Sequence, residues 1–445
     1  MVLPTSNRGL HPVPAVLRVP ELLRQVVAMT PVTSLLSLAL VCRATSKASL
    51  EVLWRTLLSP LPLFKLVSTL SFVDKKWRLQ ELSPPASWDS YDQYSRYVVR
   101  IYSFFSSEPT GLVDIDINIF LFLHTCRPQV PLFPALHSAT LTSMRPSYST
   151  ILPFMSPNLQ EIDIAIPKND PPFMQELHQV APNIVRIHVR GHLSPSTIAI
   201  LAQFPKLISI SIVLARKTSP NAHSAQVEAL RRLRFPSSVL SMSFNFPLRF
   251  QAPFLPIAAT TSLVRLHIQG TIENITASVK LAPNLMFVVL RISNVEPVSK
   301  EDLTACFEVL RATSQTTLRA VMVICNGAVS LSGAISPLLD IPTINRFILE
   351  YQDTSDLDFT DDDVGRAVQA WPSLTAFVLP TNVHNTYQLT SRSLRALSTL
   401  QHIKDIQLPV GKDVASVPLD RCKSRNTFLH SYLEELFSPA QLGTL

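Results

Sequence analysis

A short phrase returns eleven times between residues 136 and 408, and it constrains this chain more than any other feature. Its form is apolar, two variable residues, apolar, one variable residue, apolar, and proline often stands two places before the first apolar position. The clearest copies are residues 157–164 (PNLQEIDI), 182–189 (PNIVRIHV), 205–212 (PKLISISI), 283–290 (PNLMFVVL), 342–349 (PTINRFIL) and 372–379 (PSLTAFVL). Looser copies occupy 136–141, 239–244, 263–268, 318–323 and 403–408. The anchors are Leu136, Leu159, Ile184, Leu207, Val239, Leu263, Leu285, Leu318, Ile344, Leu374 and Ile403, spaced by 23, 25, 23, 32, 24, 22, 33, 26, 30 and 29 residues. The last two apolar positions alternate, which is strand periodicity. One such strand cannot bury its apolar face alone, so the copies must stack on one another.

Between the phrases the pattern switches to helical spacing at 172–180, 196–204, 225–233, 299–310, 361–370 and 391–400. Several of these segments open on Ser or Asp, as helix starts do. Strand–helix alternation predicts an α/β fold: a parallel sheet with right-handed crossovers and helices on one side. The phrase resembles the L-x-x-L-x-L unit of leucine-rich repeats, whose usual period is about 20–29 residues. That resemblance implies an irregular solenoid with a parallel inner sheet and outer helices. The Asn that such repeats carry three residues after the final apolar position stands only at Asn326 and Asn382, so proline and other side chains are expected to shape the turns.

In a solenoid of this kind the residues flanking and between the two inward apolar positions of each strand face the concave surface. Early copies would present Arg186, His188 and Arg190, then Arg265, His267 and Gln269. Later ones would present Phe287, Val289, Ala320, Met322, Ile324, Ile348, Ala376 and Val378. The expected partner-binding face is therefore polar and partly basic early and apolar late, and an apolar patch of that kind implies a partner or an intramolecular cover. The amphipathic stretch 426–437 (NTFLHSYLEELF) is a helix candidate that caps the last repeat or lies against that patch.

Residues 19–55 predict a small all-α segment. Pro20 and Glu21 open a first helix with an apolar face of Leu22, Leu23, Val26 and Val27. Pro31 restarts the chain into a second helix, dense in apolar residues (Leu35, Leu36, Leu38, Ala39, Val41), and Leu50, Leu53 and Trp54 mark a third. The order VPELL, SLLSLALVCR, LEVLWR resembles an F-box, in particular the F-box-like proteins of fungi. The resemblance covers about 40 residues of the chain, and Thr45 stands where the family often has Trp. It implies docking onto the adaptor subunit of a cullin-RING ubiquitin ligase through Val19, Pro20, Leu22, Leu23, Leu40, Val41 and Cys42. The expected organisation is a flexible tail at 1–14, F-box-like helices at 15–60, connecting helices and a first cap strand at 61–130, leucine-rich repeats at 131–410 and a cap helix at 411–445.

Composition narrows the function. With 47% hydrophobic and 16% charged residues the chain suits a large folded core. Nine glycines in 445 residues leave little room for Gly-rich phosphate loops, while 36 prolines imply many fixed turns. No nucleophile motif, Walker loop or dinucleotide fingerprint occurs, and no enzyme activity or cofactor is expected. His188 and His192 are four apart, but His188 falls in a strand phrase, so no metal site is read there. Asp361, Asp362 and Asp363 read as helix-start charges, and Asp114 and Asp116 as solvated strand positions. The net charge of +7 draws partly on Arg8, Arg18, Arg24, Arg43, Lys47 and Arg55 against Glu21 and Glu51. That basic start either meets an acidic partner or is a solvated face; nucleic acid is not the expected partner. The uncharged stretches 25–42 and 320–339 are interrupted by proline, glycine and polar residues, so neither is read as membrane-spanning. Five scattered cysteines fit a reducing compartment, cytoplasm or nucleus. The leading expectation is an F-box-type substrate receptor, a monomer within a hetero-complex, that binds an unknown target protein on its repeat face. The alternative is a repeat scaffold without a ligase.

Overall fold

Each copy of the repeated phrase becomes a β-strand. In the computed structural model, which describes residues 19–81, 85, 87–104, 114–128, 130–141, 151–152, 154–166, 171–191, 193–214, 226, 228–230, 235–245, 262–293, 298–325, 332–351, 358–380 and 389–409, the eleven phrases lie on eleven strands. These are β6 (Ser138–Leu141), β7 (Glu161–Ile166), β8 (Arg186–Gly191), β9 (Ser209–Leu214), β10 (Ser241–Asn245), β11 (Arg265–Gly270), β12 (Phe287–Ile292), β13 (Ala320–Cys325), β14 (Arg346–Tyr351), β15 (Ala376–Val378) and β16 (Asp405–Gln407). Two short upstream strands, β1 (Thr56–Leu57) and β4 (Arg100–Ile101), complete a parallel sheet of 13 strands in the order β1-β4-β6-β7 and then consecutively to β16. The protein is thus mixed α/β, as expected. The chain divides into two compact units, Met1–Asp163 with Gln179–Ala181 and Ile164–His178 with Pro182–Leu445. The division falls inside β7, so the anchors Leu136 and Leu159 belong to the first unit.

In the second unit the physical repeat is sharper than the sequence repeat. The carbonyl of Val185 accepts from the N–H groups of both Ile208 and Ser209, at 2.8 and 3.1 Å. Ile208 then does the same for Leu240 and Ser241, and the step recurs through Leu240, Val264, Met286, Arg319, Asn345 and Thr375. Ten anchors are fully buried; the eleventh, Ile403 beside the last strand, is half-buried. The side chain just before the anchor adds a second ladder. Ser238, Ser262, Thr317 and Thr343 donate their hydroxyls to the carbonyls of Leu207, Val239, Leu285 and Leu318, at 2.8, 3.3, 3.0 and 2.6 Å. These anchor carbonyls are buried, and the hydroxyls satisfy them where the chain enters each strand. Asn326 and Asn382, the two asparagines singled out after the phrases, lie outside the described residues.

Helices of the second unit follow the predicted pattern with shifted ends: α7 (Pro171–Val180), α8 (Pro195–Leu201), α10 (Lys300–Ser314), α12 (Asp361–Ala370) and α13 (Ser391–Ser398). Of 225–233, residues 226 and 228–230 are helical and the rest lies outside the described residues. Two helices were not predicted: α9 (Ile272–Lys280) and the single turn α11 (Ser336–Leu339). The acidic run behaves as helix-start charge. Thr360 and Asp363 form a reciprocal capping box on α12, and Asp363 also pairs with Arg366. Asp361 reaches forward to accept from Thr390 N–H (3.0 Å), Thr390 Oγ1 (2.6 Å) and Ser393 Oγ at the start of α13. One strand end needs glycine: Gly191 has φ +124°, and a Cβ there would lie 2.2 Å from the Ile166 carbonyl oxygen.

The first unit opens on α1 (Pro20–Met29), α2 (Val32–Ala39) and α3 (Arg43–Arg55), the three helices expected there. Beyond them the segment expected to hold connecting helices holds α4 (Leu61–Phe64) and α5 (Asp89–Ser95), and also a hairpin, β2 (Leu70–Val73) and β3 (Lys76–Leu79), turned on Asp74 and Lys75 with φ of 51° and 61°. Positive φ at both central residues matches the right-handed strand twist, which is why the turn tolerates two non-glycine residues there. β5 (Asp114–Ile115) pairs with β3, and α6 (Ile117–Cys126) follows. Asp116, read from sequence as a solvated strand position, is instead the N-cap of α6, accepting from Asn118 N–H at 2.9 Å. The unit's core is aromatic: Phe64, Phe104, Phe120, Phe133 and Phe154 are all fully buried, with Phe64 edge-on to Phe120 at 5.0 Å. Among the described residues no helix is long and apolar enough to cross a membrane. The segments 1–14 and 411–445, including the predicted helix 426–437, lie outside the described residues.

Candidate functional site

Two surfaces carry the residues singled out by sequence, one in each unit. On the first, α1–α3 are held together by one small core of Leu23, Val27, Leu35 and Ala48, with Leu38, Val52 and Leu53 against it. A second set of apolar side chains points away from that core. On and just before α1 they are Val19, Leu22, Val26 and Met29, at steps of three, four and three residues, which is one helical stripe. Val32 and Leu36 continue it at a step of four on α2, and Leu40 and Val41 follow at its end. Their exposure runs from 40% at Val19 to 88% at Leu40. Helices that already have a core gain nothing by presenting eight large apolar side chains to water, and exposed sets of that kind mark interaction sites.

Of the residues expected to meet an adaptor, Val19, Pro20, Leu22, Leu40 and Val41 are exposed and Cys42 is half-buried. Leu23 is a correction: it turns inward at 5% exposure and is part of the helical core, because it lies one residue off the exposed stripe. Val26 and Met29 stand on the exposed face of α1, and Val32 and Leu36 are exposed on α2; none was singled out. For Val26 and Met29 the spacing of four and seven residues from Leu22 was the available signal.

Thr45 is almost fully buried. It caps α3. Its hydroxyl accepts from Cys42 N–H (3.1 Å), donates to the Cys42 carbonyl (2.9 Å) and lies 3.3 Å from Cys42 Sγ. The Thr45 side-chain hydrogen bond is the main cause that holds the Cys42 thiol below its usual range. Trp54 stacks on Tyr94 with ring centroids 4.7 Å apart.

The second surface is one face of the sheet. Strand residues alternate between two sides. Phe347 packs on Trp371 at the end of α12, which identifies the helix side. On the opposite side, ladder register sets the predicted residues in rows. Along β8 to β12 one row runs Arg186, Ser209, Ser241, Arg265, Phe287. The next, along β8 to β16, runs His188, Ser211, Ser243, His267, Val289, Met322, Ile348, Val378, Gln407. Its first four members are polar and the next four apolar.

The two halves differ in access. Val289, Met322, Ile324, Ile348 and Val378 pack on one another with Phe287 against them, and all five are 3% exposed or less. They were expected to offer contact surface; here they are a second, closed core on the far side of the sheet. Arg186, His188 and Arg190 are half-buried. His267 donates to or accepts from Ser243 at 3.2 Å. Burial, with the charge of Arg291, holds its pKa at about 4, so its ring is neutral at pH 7. Arg265 is 1% exposed, with its guanidinium 5.1 Å from the centre of the Phe287 ring. Cys306 and Cys325 are free, and burial pushes both thiols up to about 12. Among the described residues no group of three or more His, Cys, Asp or Glu side chains could hold a metal; His192 lies outside them. Compared with known proteins, the chain matches no family model and no curated sequence.

Proposed function

We propose that this protein is an F-box-type substrate receptor: its N-terminal helices dock the adaptor of a cullin-RING ubiquitin ligase, and a face of its leucine-rich-repeat sheet holds a target protein. The observation that carries this reading is the free apolar stripe on α1 and α2. It leaves the helices' own core intact and includes Val19, Leu22, Leu40 and Val41. On this reading the docking set is Val19, Leu22, Val26, Met29, Val32, Leu36, Leu40 and Val41, with Leu23 supporting from below. The mechanism is positioning, so the residues named here act by contact and none does chemistry. The target side is the polar half of the sheet face around Arg186, His188 and Arg190, since the apolar half is closed.

The test is capture of the purified ligase adaptor by the full chain. The natural sequence should retain the adaptor, and the double substitution Leu22→Ser with Leu36→Ser should lower its affinity by tenfold or more, as loss of two buried apolar anchors does. Circular dichroism should stay unchanged. Absence of capture by the natural, folded chain would sink the ligase reading. It would leave a repeat scaffold without a ligase, which the eight-step backbone ladder of the second unit supports by itself.

A further inference from the structure

One charged side chain of the sheet face has no explanation in the fold. Among the described residues Arg265 is the second largest fully buried side chain, and its Nε and Nη2 atoms are buried without a hydrogen-bond partner there. A guanidinium does not shed its proton at any ordinary pH. An isolated charge taken from water costs several kcal/mol even after relaxation (about that order for any ion in a protein). Among the described residues its charged head meets the face of the Phe287 ring, and a cation–π contact is worth about 0.5–2 kcal/mol. That is too little to offset the burial. A buried polar group left unpaired in this way calls for an explanation, and a bound ion that the chain itself does not supply is one.

The neighbours say what such a partner would be. Ser241 is the cross-strand partner of Arg265, is itself buried, and is followed in the row by Ser209. Both are small hydroxyl side chains that donate without adding charge. Two residues along β11 stands His267, neutral at pH 7, and beyond it Gln269, whose Nε2 donates to Ser293 at 3.2 Å. A fork of N–H donors on an aromatic platform, with hydroxyls on one side and no carboxylate of the described residues bonded to it, has the donor set that oxyanions take.

We propose that Arg265 anchors an oxyanion-binding site on the helix-free face of the sheet, taking a carboxylate or phosphate group with Ser241 as a second donor. The site stands on this geometry and does not require the receptor reading; a target protein carrying an acidic or phosphorylated side chain would be one bearer of such a group.

The experiment is thermal unfolding of the full chain at pH 7 and constant ionic strength, with chloride replaced stepwise by inorganic phosphate or by acetate. A saturable rise in Tm with phosphate alone assigns a phosphate site, with acetate alone or with both a carboxylate-accepting one, and each supports the proposal. Arg265→Met should weaken that apparent affinity about tenfold or more, the loss expected for a charge-assisted bond. In chloride the same variant should melt no lower than the natural chain, because it removes an uncompensated buried charge. If neither anion acts beyond chloride, or if Arg265→Met responds as the natural chain does, the proposal is overturned. If Arg265→Met does not fold, Ser241→Ala, which removes one hydroxyl beside the guanidinium, is read instead. A severalfold weaker response supports the site, and an unchanged one overturns it.

Discussion

The α1–α2 stripe and the late half of the sheet face are both apolar, both lie away from the principal core of their unit, and from sequence both read as surfaces for a partner. The structure separates them. The helical stripe is open, with Met29 at 79% and Leu40 at 88% exposure, whereas Val289, Met322, Ile348 and Val378 are 2% exposed or less. The same chemistry is therefore an unsatisfied surface in one place and a finished core in the other. What distinguishes them is not hydrophobicity but whether the positions on either side of the element are both apolar. On β13 all six residues from Ala320 to Cys325 are buried, as in a strand covered on both faces. On α1 the buried positions Leu23 and Val27 alternate with the exposed ones, as in a helix with one face packed and one free.

The largest effect that would break this comparison is at Met322. Met322→Ala should lower the unfolding free energy by about 2–5 kcal/mol, the range for truncating a fully buried side chain. Urea unfolding of the natural and variant chains measures it. A loss below about 1 kcal/mol would mean the late sheet face is not a core in solution and would return it to the list of binding surfaces.

A smaller effect sharpens the contrast from the polar side. Asp363 is as buried as the apolar sheet residues, yet it is charged. Burial raises its pKa, and the hydrogen bonds from Thr360 and Arg366 outweigh that, so its carboxyl is held below the usual range. A carboxyl depressed in the folded state contributes stability that is fully present above its unfolded pKa, about 3.9, and is lost as pH falls through the folded value. Asp361, bonded to Thr390 and Ser393, follows the same sign. Asp363→Asn should therefore cost about 1 kcal/mol at pH 7, the usual worth of a cap. The deficit against the natural chain should shrink as pH drops below 4. A deficit that stays constant to pH 2 would show that the carboxyl's charge is not what stabilises α12.

The strands were legible because their signal was redundant: eleven copies, alternation within each, and an anchor that no solvated position would keep apolar. Ladder register follows the alignment of the phrases, and the structure pairs Arg265 with Phe287 accordingly. The helices α9 and α11 were not legible. Residues 272–280 (IENITASVK) mix β-branched and polar residues and open on no strong cap, since Thr271 makes no capping hydrogen bond. Tertiary packing of Ile272, Ile275 and Val279 makes that helix. Access was the other blind spot. A periodic pattern tells which residues share a face, not what lies over it. So Leu23 was assigned to a docking face and is buried in the helical core, and Met322 was assigned to a contact surface and is buried; the hydroxyl ladder of Ser238, Ser262, Thr317 and Thr343 was not foreseen.

The smallest expected effect is the one that decides whether the helical stripe is a surface at all. Leu36 is 64% exposed on α2, four residues from Val32 and from Leu40. If it is a free surface residue, Leu36→Ala removes little area that folding had withdrawn from water, and the chain should lose no more than about 0.5 kcal/mol in urea unfolding. Leu35, its neighbour in sequence, is fully buried in the three-helix core. It is the internal control, since the same truncation there should cost several times more (about 2 kcal/mol or above). Equal costs at the two positions would mean that the stripe is covered in the folded chain. The argument from exposed apolar surface to a docking partner would then fall with it. Unequal costs in the expected order would leave the stripe as apolar surface that the chain keeps open at no benefit to its own stability, which is what a docking face must be.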